Sequence, residues 1–292
     1  LKDMEYIWKI HIINKEVIFQ SFARVFIYKE GKVTTIEAPN RLQFSFIVNN
    51  HLYLQDMNLG ILEYKNGKLY TLKNATALNN TEIWGMFPLP DKKILITTID
   101  KGLFIYDHET IQPWNTEINN FIKKNSSLGG ASISNKFIAL NTVLNGIIIC
   151  DLKGNIIQHI NRKKGLQNNT VLTSFLDNNN NLWLGLDNGI TFVNENSPFT
   201  YFGFSYNLST VYNSIIFKDY LYVATNQGVF YHSWKMPFTE TAFQLVEGTT
   251  GQAWNLQIID NQLFCAHNRG ALLINENKTA TTLDNNGYWN FK

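Results

Sequence analysis

Cysteine is nearly missing from this chain, and the options that depend on thiols go with it. Cys150 and Cys265 are the 2 cysteines among 292 residues; they have no zinc-site spacing and no disulfide framework, so each is expected as a small buried hydrophobe and no metal site is expected. An excess of charge of one sign is missing too, since Lys+Arg 25 against Asp+Glu 23 leaves a net charge of +2. Nucleic-acid binders carry a dense basic stripe, whereas here there are scattered pairs such as Lys123-Lys124 and Lys163-Lys164; nucleic acid is therefore not an expected partner. No uninterrupted apolar run approaches the roughly 18 residues that span a bilayer, so no membrane segment is expected in this region. Leu1 opens the sequence without a signal-type stretch and without a start methionine, which is expected of a piece of a longer chain. There is no Gly-x-Ser-x-Gly elbow, no phosphate loop and no helical zinc motif. The six histidines, His11, His51, His108, His159, His232 and His267, include no two at ligand spacing on one strand. No catalytic residue and no cofactor is expected.

What is present is a repeated phrase: a few β-formers, a polar pair, a glycine, then a hydrophobic run. It reads Thr98-Ile-Asp-Lys-Gly102-Leu-Phe-Ile-Tyr106, Leu186-Asp-Asn-Gly189-Ile-Thr-Phe, Ala224-Thr-Asn-Gln-Gly228-Val-Phe-Tyr231 and Ala266-His-Asn-Arg-Gly270-Ala-Leu-Leu. Its glycines, Gly60, Gly102, Gly146, Gly189, Gly228 and Gly270, are spaced by 42, 44, 43, 39 and 42 residues. An earlier copy has Arg24 where the glycine would be, before Val25-Phe-Ile-Tyr28. A period of about 40 to 45 residues made of short strands signals a β-propeller, one four-stranded blade per repeat. The expectation is therefore an all-β, seven-bladed β-propeller of four-stranded antiparallel blades filling residues 1–292. Its blades would cover about 5–38, 42–73, 82–114, 130–161, 170–201, 210–245 and 252–284, with 287–292 starting a further inner strand.

The third repeat shows the grammar. Glu82-Ile-Trp84-Gly-Met-Phe-Pro-Leu reads as the innermost strand a, Lys93 to Thr98 as b, Leu103 to Tyr106 as c and Gln112-Pro-Trp114 as d. By the same rule the other inner strands fall near Tyr6 to His11, Gln43 to Val48, Ala131 to Ser134, Val171 to Leu176, Val211 to Phe217 and Ala253 to Ile259. Thr116 to Gly129 lacks the pattern and reads as a long connection between the third and fourth blades, with room for one helical turn. Gly287-Tyr-Trp-Asn-Phe291 matches Gly251-Gln-Ala-Trp-Asn-Leu256, the start of an inner strand.

Asn181-Leu-Trp183-Leu-Gly185-Leu-Asp187-Asn188-Gly189-Ile, preceded by Phe175-Leu-Asp177-Asn, resembles the repeat of the two-component regulator propeller family, in which an aspartate-led turn precedes Leu-Trp-Ile-Gly-Thr and a glycine hairpin. The other repeats match more loosely, with Ile96, Tyr222 or Phe264 at the tryptophan position and Thr98, Ala224 or Ala266 at the glycine. The resemblance implies the periplasmic or cell-envelope part of a sensor from Bacteroidota-type bacteria, where such propellers precede further domains of the same chain and help to recognise oligosaccharides. Partners implied in this way are an oligosaccharide, the other domains, and a second copy joined through them. The alternatives are a protein-docking propeller of an outer-membrane secretion or surface assembly, and a propeller enzyme acting on polysaccharide.

In a blade the d-to-a connection and the b-to-c hairpin emerge on one face. That face would collect Trp8, Trp84, Tyr212 and Trp254, together with Asp100, Lys101, Asp187, Asn188, Asn226, Gln227, His267 and Arg269. Flat aromatics beside amides and charges suit sugar rings, which have C–H faces and hydroxyls. The same aromatics also serve blade-to-blade packing, and the polar pairs also serve hairpin geometry. Within the set His267 and Arg269 are singled out, because turn chemistry needs neither.

Overall fold

Short runs of β-branched and aromatic residues, punctuated by Asn, Asp and Gly, fold as sequential antiparallel hairpins. The computed structural model describes residues 5–194, 202, 206–234 and 242–291. Blade one is β1 (Lys9–Ile13), β2 (Glu16–Gln20), β3 (Arg24–Lys29) and β4 (Lys32–Glu37). Blade two is β5 (Leu42–Val48), β6 (His51–Asp56), β7 (Gly60–Lys65) and β8 (Lys68–Thr71). Blade three is β9 (Ile83–Pro88), β10 (Ile94–Thr98), β11 (Leu103–Tyr106) and β12 (Ile111–Pro113), followed by helix α1 (Glu117–Asn125). Blade four is β13 (Ser127–Ile133), β14 (Phe137–Thr142), β15 (Ile147–Asp151) and β16 (Ile156–Ile160). Blade five has β17 (Val171–Leu176), β18 (Leu182–Leu186) and β19 (Ile190–Val193); the rest of its expected span, 195–201, lies outside the described residues. Blade six is β20 (Val211–Phe217), β21 (Tyr220–Thr225), β22 (Gly228–Ser233) and β23 (Gln244–Leu245), and blade seven is β24 (Ala253–Ile259), β25 (Gln262–His267), β26 (Gly270–Ile274) and β27 (Ala280–Asp284). Each sheet follows chain order without crossovers. The fold is an all-β, seven-bladed β-propeller.

By their contacts the residues form two compact units, Leu1–Ser197 with blades one to five and Pro198–Lys292 with blades six and seven. Neither unit has one central core. Apolar slabs fill the spaces between successive blades instead: Ile18, Val25 and Ile27 meet Leu42, Leu52 and Leu54 between blades one and two. Leu95, Leu103 and Trp114 meet Ile138, Leu140 and Ile148 between three and four, and in the second unit Tyr222, Ala224 and Val229 meet Leu256, Leu263 and Cys265. Both cysteines are free thiols inside these slabs, and burial pushes each up to about 12.

Two features of the b-to-c hairpin explain its recurring glycine. At Gly60 φ is +84°, and a Cβ there would also fall inside the contact distance of the Ala75 carbonyl oxygen. Blade one turns differently. The Ser21 hydroxyl accepts hydrogen bonds from the Ala23 and Arg24 amides at 3.2 and 2.8 Å, and this hydroxyl-capped turn lets Arg24 stand where the other blades need glycine. The Arg24 guanidinium is held by Glu5 at 2.8 Å and Glu37 at 2.9 Å.

The family-like motif of blade five is a turn device. Asp177 accepts from the amides of Asn179 and Asn181 at 2.8 and 2.9 Å and from Trp183 Nε1 at 2.9 Å. The indole bond and the turn amides hold the carboxyl at about 2.

Three expected elements shift. Thr116 to Gly129 contains the nine-residue helix α1, longer than a single turn, because Ile118 and Ile122 lie four apart and bury themselves in the slab between blades three and four. Asn119 completes the helix's docking by accepting from the Leu103 amide at 2.8 Å. The fourth inner strand begins at Ser127, ahead of the expected Ala131, since Leu128-Gly129 forms a bulge and not a loop. The first inner strand begins at Lys9, so Tyr6-Ile7-Trp8 leads into it.

The two reasons for glycine separate experimentally. Gly67 has φ +76° with open space around it, so Gly67→Ala should cost about 1 kcal/mol, the backbone penalty alone. Gly60→Ala adds the collision with Ala75 and should cost roughly 2 to 4 kcal/mol in urea unfolding. Equal losses would remove the close-approach explanation.

Candidate ligand-binding site

The inner strands are interrupted where the recurring aromatics stand. Two residues of the strand oppose one of its neighbour at Gln43-Phe44, at Trp84, at Leu128-Gly129, at Leu172, at Tyr212 and at Trp254. Such β-bulges break the in-and-out alternation and re-aim a side chain.

In the first unit these bulges border a cavity of about 340 Å³ between the inner strands of blades one to five. Aromatic groups come from Trp8, Phe44, Phe46, Trp84 and Phe87. The Trp84 ring packs at 4.7 Å on Phe44, and its Nε1 donates to Glu82 at 3.0 Å. Trp8, 56 % exposed, packs at 4.6 Å on Phe22, which in turn lies 4.2 Å beneath the Arg41 guanidinium. Next to the Trp84 backbone, Gly129 and Gly130 leave part of the wall without side chains. The only charged residue lining the cavity, among the described residues, is Lys9.

The polar lining includes Gln20, Gln43, Ser45, Asn141 and Ser174. Gln20 ties blade one to blade two by donating from Nε2 to the Gln43 carbonyl at 3.2 Å, and its Oε1 accepts from the Ser45 hydroxyl. Because that hydroxyl proton is committed to Gln20, Ser45 accepts from His11 Nε2 at 2.7 Å, which fixes the imidazole tautomer. Burial first, and Lys9 second, push His11 down to about 4, so it is neutral at pH 7.

In the second unit, Trp254 stacks on Trp289 with centroids 4.0 Å apart and planes 2° from parallel. Asn213 donates to Asn255 at 3.0 Å, and Asn255 donates to Asn290. The Tyr288 amide bonds the His267 carbonyl at 3.1 Å. Residues 287–291 thus lie against blade seven with the Trp-Asn pair in register with Trp254-Asn255. Tyr212 is exposed on its bulge.

The hairpin residues named from sequence divide differently. Trp8 and Trp84 line the first unit's cavity, whereas Asp100, Lys101, Asp187 and Asn188 do not. Asp100 accepts from Thr81 at 3.1 Å and Lys101 reaches the Asn79 carbonyl at 3.4 Å, so this hairpin is tied to the loop entering its own blade. Asp187 and Asn188 are exposed on the blade-five hairpin. In the second unit Asn226 accepts from the Ser209 hydroxyl, and the Gln227 carbonyl accepts from Gly251 at 3.2 Å.

His267 requires correction as a surface binding residue. It is 1 % exposed, its Nδ1 accepts from the Arg269 amide at 3.0 Å and its Nε2 faces the Thr249 carbonyl at 3.2 Å. The turn uses this imidazole after all; Arg269 beside it is exposed. The polar residues that sequence reasoning missed are Gln20, Ser45, Asn141 and Ser174. A signal existed. Gln20, Gln55 and Asn141 occupy one repeat position, each interrupting an otherwise apolar strand b just before the hairpin.

No family model and no curated protein matches this sequence. Solved structures share the fold. The extracellular domain of BT4673 from B. thetaiotaomicron, assigned to a one-component or hybrid two-component system, aligns with a TM-score of 0.53 and 17% identity over 94% of this chain and 41% of that one. That of BT3049 from the same organism, assigned to a hybrid two-component system, aligns with a TM-score of 0.52 and 13% identity over 91% and 39%. The chain thus spans about two fifths of the length of these structures. They are extracellular regions of regulatory systems, the class of protein whose repeat the fifth blade resembles. Among the described residues no helix is long and apolar enough to cross a membrane.

The buried His11 gives a pH test. Its folded value lies below the unfolded 6.5, so the unfolded chain binds the extra proton between about 6.5 and 4. The stability it contributes is full above pH 6.5 and is lost as pH falls toward 4, on the order of 2 kcal/mol. Urea midpoints of the wild type and His11→Gln should diverge over that window, with the variant less acid-sensitive. Parallel pH profiles would refute the assignment of a neutral, buried imidazole.

Proposed function

We propose that the chain is the non-catalytic recognition propeller of an extracytoplasmic sensor in a signal-transduction regulator, and that it contributes to sensing a short oligosaccharide. The observation that carries this reading is the cavity of the first unit. A Phe44–Trp84 aromatic pair and Trp8 stand beside amide and hydroxyl groups, and among the described residues of the lining only Lys9 brings charge. Sugars present apolar C–H faces for stacking and hydroxyls for hydrogen bonds, and about 340 Å³ falls within the range of small-molecule clefts. Indole rings fixed by their own hydrogen bonds, as Trp84 is by Glu82, lose little freedom on binding. The resemblance of blade five and the fold shared with regulator ectodomains support the sensor context. In this reading the binding event passes to other domains of the same protein, through which two copies would associate.

Tryptophan fluorescence and calorimetry against neutral oligosaccharides test it. Trp84→Ala should weaken binding about tenfold, or 1.4 kcal/mol, while Trp183→Phe, whose residue serves the Asp177 turn, should leave it unchanged. An ectodomain that binds no saccharide and instead captures a protein partner would overturn the reading.

A further inference from the structure

Asn141 is 1 % exposed on β14, and neither its Oδ1 nor its Nδ2 has a hydrogen-bond partner among the described residues. The Ser174 hydroxyl on β17 is likewise buried without a partner, and both residues line the cavity beside the bare Gly129-Gly130 wall. Leaving a buried amide unpaired costs stability. Packing alone does not demand one at this place. Blades five, six and seven have Gly185, Ala224 and Ala266 at the same repeat position, so a small residue suffices. In blades one and two the position is polar because the longer glutamine reaches the next inner strand. Gln55 donates to the Thr81 carbonyl and accepts from the Ile83 amide at 3.0 Å, as Gln20 reaches Gln43. Asparagine is one methylene shorter and makes no such bridge. In blade three the equivalent Thr97 hydroxyl is also unpartnered, but Thr97 does not line the cavity.

We infer that Asn141 and Ser174 form a ligand-reading pair in the cavity wall, taking two adjacent hydroxyls of a neutral polyhydroxylated ligand. The amide has one acceptor and two donors, and a pair of neighbouring hydroxyls can engage both kinds at once. With Lys9 the single cation among the described lining residues, nothing described there requires the ligand to be charged. This inference rests on the saccharide reading for its ligand class, but the held amide can be tested without any ligand.

The first measurement is thermal stability of the unliganded chain. Asn141→Ala, which installs the residue of blades six and seven, and Asn141→Leu should leave the midpoint unchanged or raise it by a few degrees, whereas Gln55→Leu should lower it. If both Asn141 variants fall as Gln55→Leu does, the amide is structural and the inference fails. The second measurement titrates wild type and Asn141→Ala with short cello-, xylo- and manno-oligosaccharides, and with deoxy forms lacking one of two adjacent hydroxyls. Wild type should prefer the parent sugar by tenfold or more, and Asn141→Ala and Ser174→Ala should lose that preference. Binding and discrimination equal in wild type and variant would retain the saccharide reading and remove the pair. No saccharide binding by wild type, with Asn141→Ala at least as stable, would remove the saccharide reading while keeping an amide held for another polar ligand.

Discussion

A single blade cannot hide both of its faces, and the rest of the structure follows from that constraint. Four short strands make a sheet whose two surfaces are both apolar, as β6 shows with Leu52, Tyr53 and Leu54 all buried in sequence. Alternating residues point to opposite slabs: Leu52 and Leu54 toward blade one, Tyr53 toward blade three. Burial therefore comes from neighbours on either side, and each repeat is stable only in the company of the next. Face-to-face stacking also brings the inner strands of consecutive blades together, which is how residues about forty positions apart in sequence come to border one cavity.

The bulges convert this stacking into a candidate site. A regular strand a would continue the alternation and send every second side chain into a slab. Inserting one residue opposite strand b releases Trp84 or Tyr212 from that alternation and lets the ring stand at the strand's end. Where the bulge holds Leu128 and Gly129 the wall is open, because Gly129 packs against the Trp84 carbonyl and has no room for a side chain. Successive blades thus keep one backbone device and vary what it presents. Aromatic groups border the cavity at some bulges and bare backbone at another.

The fold was legible because its signals are local. Hairpin glycines at a steady period and β-branched runs between them follow from turn and strand chemistry, and inner strands at Val171–Leu176, Val211–Phe217 and Ala253–Ile259 emerge at the residues the pattern predicts. Helix α1 was less legible, since two adjacent asparagines weaken its propensity and only docking of Ile118 and Ile122 secures it. The candidate site was half legible. Trp8 and Trp84 stand out as residue types, but whether an aromatic faces a slab or a cavity depends on a one-residue register shift that composition does not reveal. His267 looked unexplained by turn chemistry, yet its imidazole accepts the Arg269 amide much as a threonine or serine hydroxyl serves the hairpins of other blades.

That comparison suggests how to separate structure from function in such a chain. A position that does the same task in every repeat can change residue type freely so long as the task is done: serine, threonine or histidine all shape the hairpin from its first residue. The neighbouring position behaves otherwise. It is a bridging glutamine in blades one and two and a small residue in five, six and seven, and both solutions leave no buried polar atom unpaired. Thr97 in blade three and Asn141 in blade four are polar and buried but form no bridge; of the two, Asn141 alone lines the cavity, and neither the bridge nor the small-residue solution accounts for it. In a repeat protein the sequence carries its own internal controls, and an amide that departs from the rule most of its counterparts obey, in a cavity wall, is better explained by what enters the cavity than by the fold that surrounds it.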